Sequence, residues 1–318
     1  MTKVLFATLL TIVACFNSRP SFCNDTLNGF DVSKSLIPKD EIHSGGPPRD
    51  GIPAILKPKF EPLSKVDWLN DDDLVTGVEY NGVQKAYPLR ILVWHEAVND
   101  KTGGMPILVS YCPLCGSTMV FNREFNGKEL SFGISGLLYQ SDVLFYDHQN
   151  ESLWSQLEMK AVTGKKIGTD LEIVPSALAT WKEWKDKHPN SLVLSRNTGF
   201  SRNYTRDPYG GYEDSDLLMF PIKNESNRFH PKEKVLVVLV GNIAKAYPFS
   251  ELEKVGTPFE DKIGEQQVLI KYGDGNYVTA TDKSGNLIKS FVSYWFAWYT
   301  FRPDTQVFHA KSPSLFDD

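Results

Sequence analysis

From Val66 onward, hydrophobic positions fall in short β-prone runs bounded by turn residues. Leu74 to Tyr80 and Val83 to Tyr87 flank Asn81-Gly82, a pair favoured in type I′ turns, and predict a hairpin. Pro88 then opens a short helix with Leu89, Leu92 and Val93 on one face. Pro106 to Tyr111 and Thr118 to Phe121 predict a second hairpin, with Cys112-Pro113-Leu114-Cys115-Gly116 at its tip. Further strands are expected at Glu129 to Ile134, Val143 to Tyr146 and Ser191 to Leu194. Pro175 to His188 reads as an amphipathic helix, because Leu178, Trp181 and Trp184 share a face. Tyr294 to Phe301 is apolar all round and predicts a helix packed in the core. Residues 24–60, rich in Pro, Gly and charge, read as an extended arm around the body, in which His43 is a bland loop histidine. Residues 196–232 are rich in Tyr, Asp and Gly and read as a long irregular lid or rim.

The pattern repeats. Lys85-Ala86-Tyr87-Pro88 recurs as Lys245-Ala246-Tyr247-Pro248, and Asn99-Asp100-Lys101-Thr102-Gly103 corresponds to Glu260-Asp261-Lys262-Ile263-Gly264. The expected fold is a single β-rich α+β domain over 61–310 with few short helices. It is built from two related ββαββ-like halves, at about 74–134 and 234–290. Where the first copy carries the cysteine tip, the second carries Gly273-Asp274-Gly275-Asn276. The unit therefore does not need the cysteines in order to fold.

Composition narrows the setting. The 318 residues carry a formal charge of −5 and no Lys/Arg stripe, so no nucleic-acid partner is expected. Lys3 precedes an apolar run from Val4 to Cys15, too short to span a bilayer and suited to a signal peptide over 1–23. Ile12-Val13-Ala14-Cys15 resembles a lipobox, which would lipidate Cys15; ordinary cleavage between Ser18 and Asn24 is the alternative. The expectation is an exported protein, periplasmic, secreted or an outer-surface lipoprotein, touching a membrane only through a lipid on Cys15. Sequons at Asn24, Asn150, Asn203 and Asn224 matter only in a eukaryotic host.

The chemistry centres on Cys112 and Cys115. Cys-Pro-x-Cys-Gly between strands has the shape of one zinc knuckle, and one transition-metal ion, zinc or copper, is a candidate cofactor. No second knuckle follows, so His95, His148, Glu96, Asp147 or Met119 would complete the ligands. His95 is the favoured third ligand, and His95, Glu96 and Asp147 are the candidate catalytic groups. A redox dithiol is the second reading, although such pairs sit at a helix N-terminus and here a strand follows. The third is a structural Cys112–Cys115 disulfide in a non-catalytic binding module, which would remove only about 2 kcal/mol of chain entropy. No P-loop, dinucleotide fingerprint, Gly-x-Ser-x-Gly or His-Glu-x-x-His is present, so no nucleotide cofactor is expected. The partner is an unidentified small molecule or a metal.

Five ordered motifs, running Ala86 to Leu92, Trp94 to Asp100, Tyr111 to Ser117, Phe132 to Tyr139 and Ser152 to Gln156, resemble the domain-of-unknown-function 3179 family of exported proteins. The resemblance extends from about Pro62 to Phe308. It implies hallmark positions at Trp94, His95, Glu96, Asn99, Asp100, Cys112, Cys115, Gly116, Ser135, Gly136, Trp154 and Gln156. The chain departs from the family pattern at Tyr146-Asp147-His148-Gln149-Asn150, which weakens His148 as a ligand. The resemblance implies no activity.

Overall fold

A computed structural model describes residues 25–273 and 277–310. The expected signal peptide over 1–23, including Cys15, and the sequon at Asn24 lie outside the described residues.

The protein is β-rich, with four short helices among the described residues: α1 (Leu89–His95), α2 (Trp181–Lys187), α3 (Phe249–Leu252) and α4 (Trp295–Phe301). Two large sheets have reciprocal strand orders. The eight-stranded sheet runs Phe259–Ile263, Gln266–Tyr272, Val278–Thr281, Ala177–Thr180, Leu74–Tyr80, Val83–Pro88, Leu192–Leu194, Phe60–Pro62. The seven-stranded sheet runs Ala97–Thr102, Met105–Cys112, Ser117–Asn122, Ser290–Tyr294, Lys234–Val240, Ile243–Pro248, Gln306–Val307. Each sheet thus joins a three-strand meander from one segment to a hairpin from the other. In both, the strand beyond that hairpin pairs in parallel, at Ala86↔Val193 and at Ala246↔Val307. Leu178 and Val278 from one sheet meet Leu236, Val238 and Val292 from the other in a shared core.

Local chemistry explains the elements. Asn81 and Gly82 both have positive φ, 47° and 74°, which closes the first hairpin with the twist its strands need. The helix expected over Pro175 to His188 is shorter, and its first part is strand. All four residues of Ala177–Thr180 are buried and pair with Leu74 to Gly77. Thr180 caps α2, its hydroxyl accepting from the Glu183 amide at 3.2 Å and donating to the Glu183 carboxylate at 3.0 Å. Thr180-x-x-Glu183 is the sequence signal for that boundary. The Pro/Gly-rich stretch at 24–60 supplies edge strands: Ile42–Ser44 pairs with Leu137–Tyr139, and Phe60–Pro62 with Leu192–Leu194.

Between Ser117–Asn122 and Ala177–Thr180 lies a long inserted segment. It supplies four strands of a five-stranded sheet in the order Lys160–Ala161, Leu153–Ser155, Asp142–Asp147, Phe132–Tyr139, Ile42–Ser44, the last from the N-terminal arm. Its aromatic residues Phe132, Phe145 and Trp154 share the largest core with Phe121, Phe291, Trp295 and Trp298. The equivalent link in the later segment, residues 282–289, carries no such sheet.

Candidate functional site

The strand Met105–Cys112 ends on the first sulfur, and a tight turn brings back the second. The Cys115 amide donates to the Cys112 carbonyl at 3.1 Å. Gly116 takes φ +57°, and a Cβ there would lie 2.6 Å from the Tyr294 ring, so the turn requires glycine. The turn is tied to the later segment: the Tyr294 amide donates to the Cys115 carbonyl at 2.7 Å. Both cysteines are buried free thiols.

The inserted sheet supplies what faces them. Strands Phe132–Tyr139 and Asp142–Asp147 are joined by Gln140-Ser141, both at positive φ without being glycine (52° and 66°). Side-chain bonds hold this turn: Gln140 donates to Glu41 at 2.7 Å, and the Ser141 hydroxyl donates to the Phe220 carbonyl at 2.9 Å. The Ser141 carbonyl is thereby aimed at the sulfurs, 3.3 Å from Cys115 Sγ and 3.9 Å from Cys112 Sγ. Asp142 follows, with Oδ1 4.0 Å from Cys115 Sγ. Its Oδ2 is held from behind by the Ser155 hydroxyl and the Leu157 amide, each at 3.0 Å. Among the described residues, Cys112, Cys115 and Asp142 place one ligand atom each within 4.8 Å of one another, a group that could hold a metal ion.

The electrostatics of this group are those of buried acids. Burial raises the Asp142 carboxyl to about 7. Burial also pushes the Cys115 thiol well above its ordinary value, and Cys112, Asp142 and Glu96 push the same way. Glu96 caps α1 at φ 56° and is raised to about 8 by burial, against a hydrogen bond from the Tyr209 hydroxyl at 3.2 Å. Glu96, Tyr209 and Cys112 line a small cavity of about 100 Å³, otherwise mostly apolar.

The other expected site residues lie elsewhere in the network. His95, fully buried, has both ring nitrogens engaged: Nδ1 with the Pro53 carbonyl and Nε2 with the Tyr204 hydroxyl, each at 2.7 Å. A carbonyl only accepts, so Nδ1 carries the proton and Nε2 receives the tyrosine's. Burial holds the imidazole below its ordinary value, and in this arrangement it is a neutral pin between α1 and the 196–232 loop, outside the thiol group. Asp147 closes its own turn, accepting from Trp154 Nε1 at 3.0 Å and from Asn150. His148 is exposed and stacks on Tyr146, and Met119 is buried in the main core.

The 196–232 stretch has no helix or strand among the described residues, yet its tyrosines reach the site. Tyr204 meets His95, Tyr209 meets Glu96, and the buried Tyr212 stacks under the Lys232 ammonium at 3.9 Å. Lys232 also donates to the Ser215 and Leu217 carbonyls, which fastens the loop.

A family model described as a protein of unknown function (DUF3179) matches residues 49–286. The chain belongs to this family. No curated protein and no solved structure matches it. Several positions implied by the DUF3179 resemblance brace the site rather than reach it. Asn99 exchanges hydrogen bonds with the Phe132 backbone at 2.7 and 2.9 Å. Gln156 spans Ser117 and Ser110 at 2.5 and 2.8 Å. Ser135 accepts from the Leu137 amide in a bulge where a Cβ on Gly136 would lie 2.2 Å from the Pro47 carbonyl. Sequence reasoning missed Ser141 and Asp142. Gln140-Ser141 carries no Gly or Asn to mark its turn; an acidic residue opening the apolar run Val143 to Tyr146 was the available clue.

Proposed function

We propose that this DUF3179 protein binds one soft or borderline transition-metal ion, zinc or copper, through Cys112, Cys115 and Asp142. The observation that carries the reading is the convergence of two thiols and a carboxyl, all buried, within 4.8 Å. Desolvated acids without a counter-charge are costly as anions, which is why burial raises the Asp142 carboxyl and the Cys115 thiol in the metal-free group. A cation that displaces those protons offsets the cost, and the softness of thiolates selects zinc or Cu(I) over magnesium or calcium. Asp142 suits a ligand because Oδ2 is already oriented by Ser155 and Leu157, leaving Oδ1 toward the sulfurs. The site differs from the expected set by exchanging His95 for Asp142. The cavity lined by Glu96 and Cys112 would give the ion its open side, with Glu96 as the nearby proton carrier.

The dithiol reading is less well supported. Cys115 is pushed up rather than down, and the residues after it form a strand rather than a helix. An export signal, as the sequence leads one to expect, would fit the metal reading, since an ion protects a thiol pair in an oxidising compartment. We also infer two related halves. α2 and α4 each begin Trp-x-x-Trp, and the second Trp of each donates to a hydroxyl seven residues on, Trp184 to Ser191 at 2.8 Å and Trp298 to Thr305 at 3.0 Å.

The test is elemental analysis with thiol titration on mature protein taken from its native compartment. The expected result is about one equivalent of metal, with thiols reacting only after unfolding and chelation, and no metal in Asp142→Asn or Cys115→Ser. Metal-free protein whose thiols appear only after reduction would replace this reading with a disulfide.

A further inference from the structure

A pocket lies beside His95, which two of its lining residues, Phe200 and Tyr204, contact. This open pocket of about 490 Å³ is lined by Trp68, Arg90, Arg196, Phe200, Arg202, Tyr204 and neighbouring Asn, Ser and Thr side chains. Three guanidinium groups and no carboxylate line it, in a chain whose 39 acidic residues outnumber its 34 basic ones. Asp73 pairs with Arg90 at 2.6 Å, so the surplus charge rests on Arg196 and Arg202. Neither of these has a carboxylate within 4.0 Å among the described residues. Arg196 lies over the Trp68 ring at 5.0 Å, and Arg202 lies 5.9 Å from the Trp94 ring. Packing a guanidinium against an indole orients the cation while leaving its in-plane edge open to donate. Arg202 Nη1 already donates to the Ser201 carbonyl at 3.2 Å, which leaves its other N–H groups for a ligand. Asn197, Ser201, Asn203 and Thr205 add neutral polar groups around the rim.

The geometry points to a binding site for a small solute carrying a doubly charged oxyanion group, clamped between Arg196 and Arg202. Paired guanidinium donors match the oxygens of a phosphate, sulfate or dicarboxylate, and fixed cations facing solvent favour charge over shape. The site is independent of the metal reading but not remote from it. Phe200 packs on the His95 ring at a centroid distance of 5.4 Å, and the Tyr204 hydroxyl bonds its Nε2. Arg90, Tyr204 and Thr205 also line an adjoining cleft of about 360 Å³ that reaches Gly116 in the cysteine turn. That cleft is also lined by Asp72, Asp73, Asp207 and Glu213, so the anionic group itself belongs in the arginine pocket.

The experiment is calorimetric titration of the mature protein with inorganic phosphate, sulfate and succinate, at constant ionic strength set by chloride. Saturable binding is expected, weakened about tenfold or more by Arg196→Gln and by Arg202→Gln, the effect of removing one charge-assisted donor. Lys128→Gln, an exposed change outside the pocket, is expected to leave the affinity unaltered. Binding of phosphate and sulfate but not succinate assigns a tetrahedral oxyanion; the reverse assigns a carboxylate; either supports the site. Only a non-saturable salt effect, or folded Arg196→Gln and Arg202→Gln proteins that keep wild-type affinity, overturns it. A second reading comes from NMR of His95, whose protonation the nearby Arg202 disfavours. Bound anion is expected to shift the His95 titration upward in wild type and not in Arg202→Gln.

Discussion

The described strands and helices of residues 74–122 and 234–281 follow one another in the same order, but the two segments differ in what they carry. In the first, Lys85 Nζ and the Tyr87 hydroxyl both donate to Asp100 Oδ2, at 2.7 and 2.6 Å. In the second, Lys245 and Tyr247 do the same to Asp261 Oδ2, at 2.6 and 2.7 Å. These clamps tie each hairpin to the meander that follows it across the two large sheets. Only the first copy carries cysteines at its meander tip, and only the first is followed by the inserted sheet that brings Ser141 and Asp142 to them. The scaffold is thus shared, while the candidate chemistry needs two further additions that meet.

The clamps give the largest expected contrast. The side chains of Lys85 and Asp100 are each 10% exposed, against 15% and 19% for Lys245 and Asp261. Asp100→Asn strands a nearly buried ammonium and is expected to cost about 3–5 kcal/mol. Asp261→Asn, with more water at hand, is expected to cost about 1–3 kcal/mol. Urea denaturation of the two variants measures both, and equal losses would erase the distinction.

Next comes pH, where the first copy alone has a buried acid at its helix end. Folded Glu96 keeps its proton up to about pH 8, whereas the unfolded chain ionises near the ordinary value of 4.5. Between these values the native state binds more protons, so stability falls as pH rises and levels off above about 8. The expected loss is on the order of 1–4 kcal/mol. Glu96→Gln should remove that slope, leaving the part due to Asp142, which ends near pH 7 in metal-free protein. Chemical denaturation across this range, with chelator present, reads the difference. A variant with the wild-type slope would place the proton elsewhere.

The smallest effect is expected at the sulfurs themselves. If the hairpin folds as its cysteine-free counterpart does, Cys112→Ala with Cys115→Ala costs metal-free protein only about 1 kcal/mol per site. A double variant that fails to fold would make the cysteines a staple of this copy.

Much of this architecture was legible in the chain. Asn81-Gly82, Pro88 and the recurring Lys-Ala-Tyr-Pro mark the hairpins and helices, because turn and helix-start chemistry is local. The Cys112/Cys115 tip was legible for the same reason. What faces it was not. Ser141 and Asp142 reach the sulfurs through a turn built from Gln and Ser, held at positive φ by Glu41, Phe220, Lys223 and Thr300, residues distant in sequence. His95 misled in the opposite way. Its position beside the cysteine strand suggested a ligand, but the lone pair that would bind metal is taken by Tyr204, from a loop whose course no local pattern predicts.

The Gln140-Ser141 turn also sets an order of events. It meets Cys115 across a separation of 26 residues, while the two cysteines are neighbours on one tight turn. A newly made chain is therefore expected to present two sulfurs before the carboxylate and carbonyl dock, since distant contacts pay their loop-closure cost later. An ion met early would be held by half a grip and could be exchanged. Once the inserted sheet closed over it, release would require the core of Phe132, Phe145 and Trp154 to open, so retention would report that the chain has finished folding.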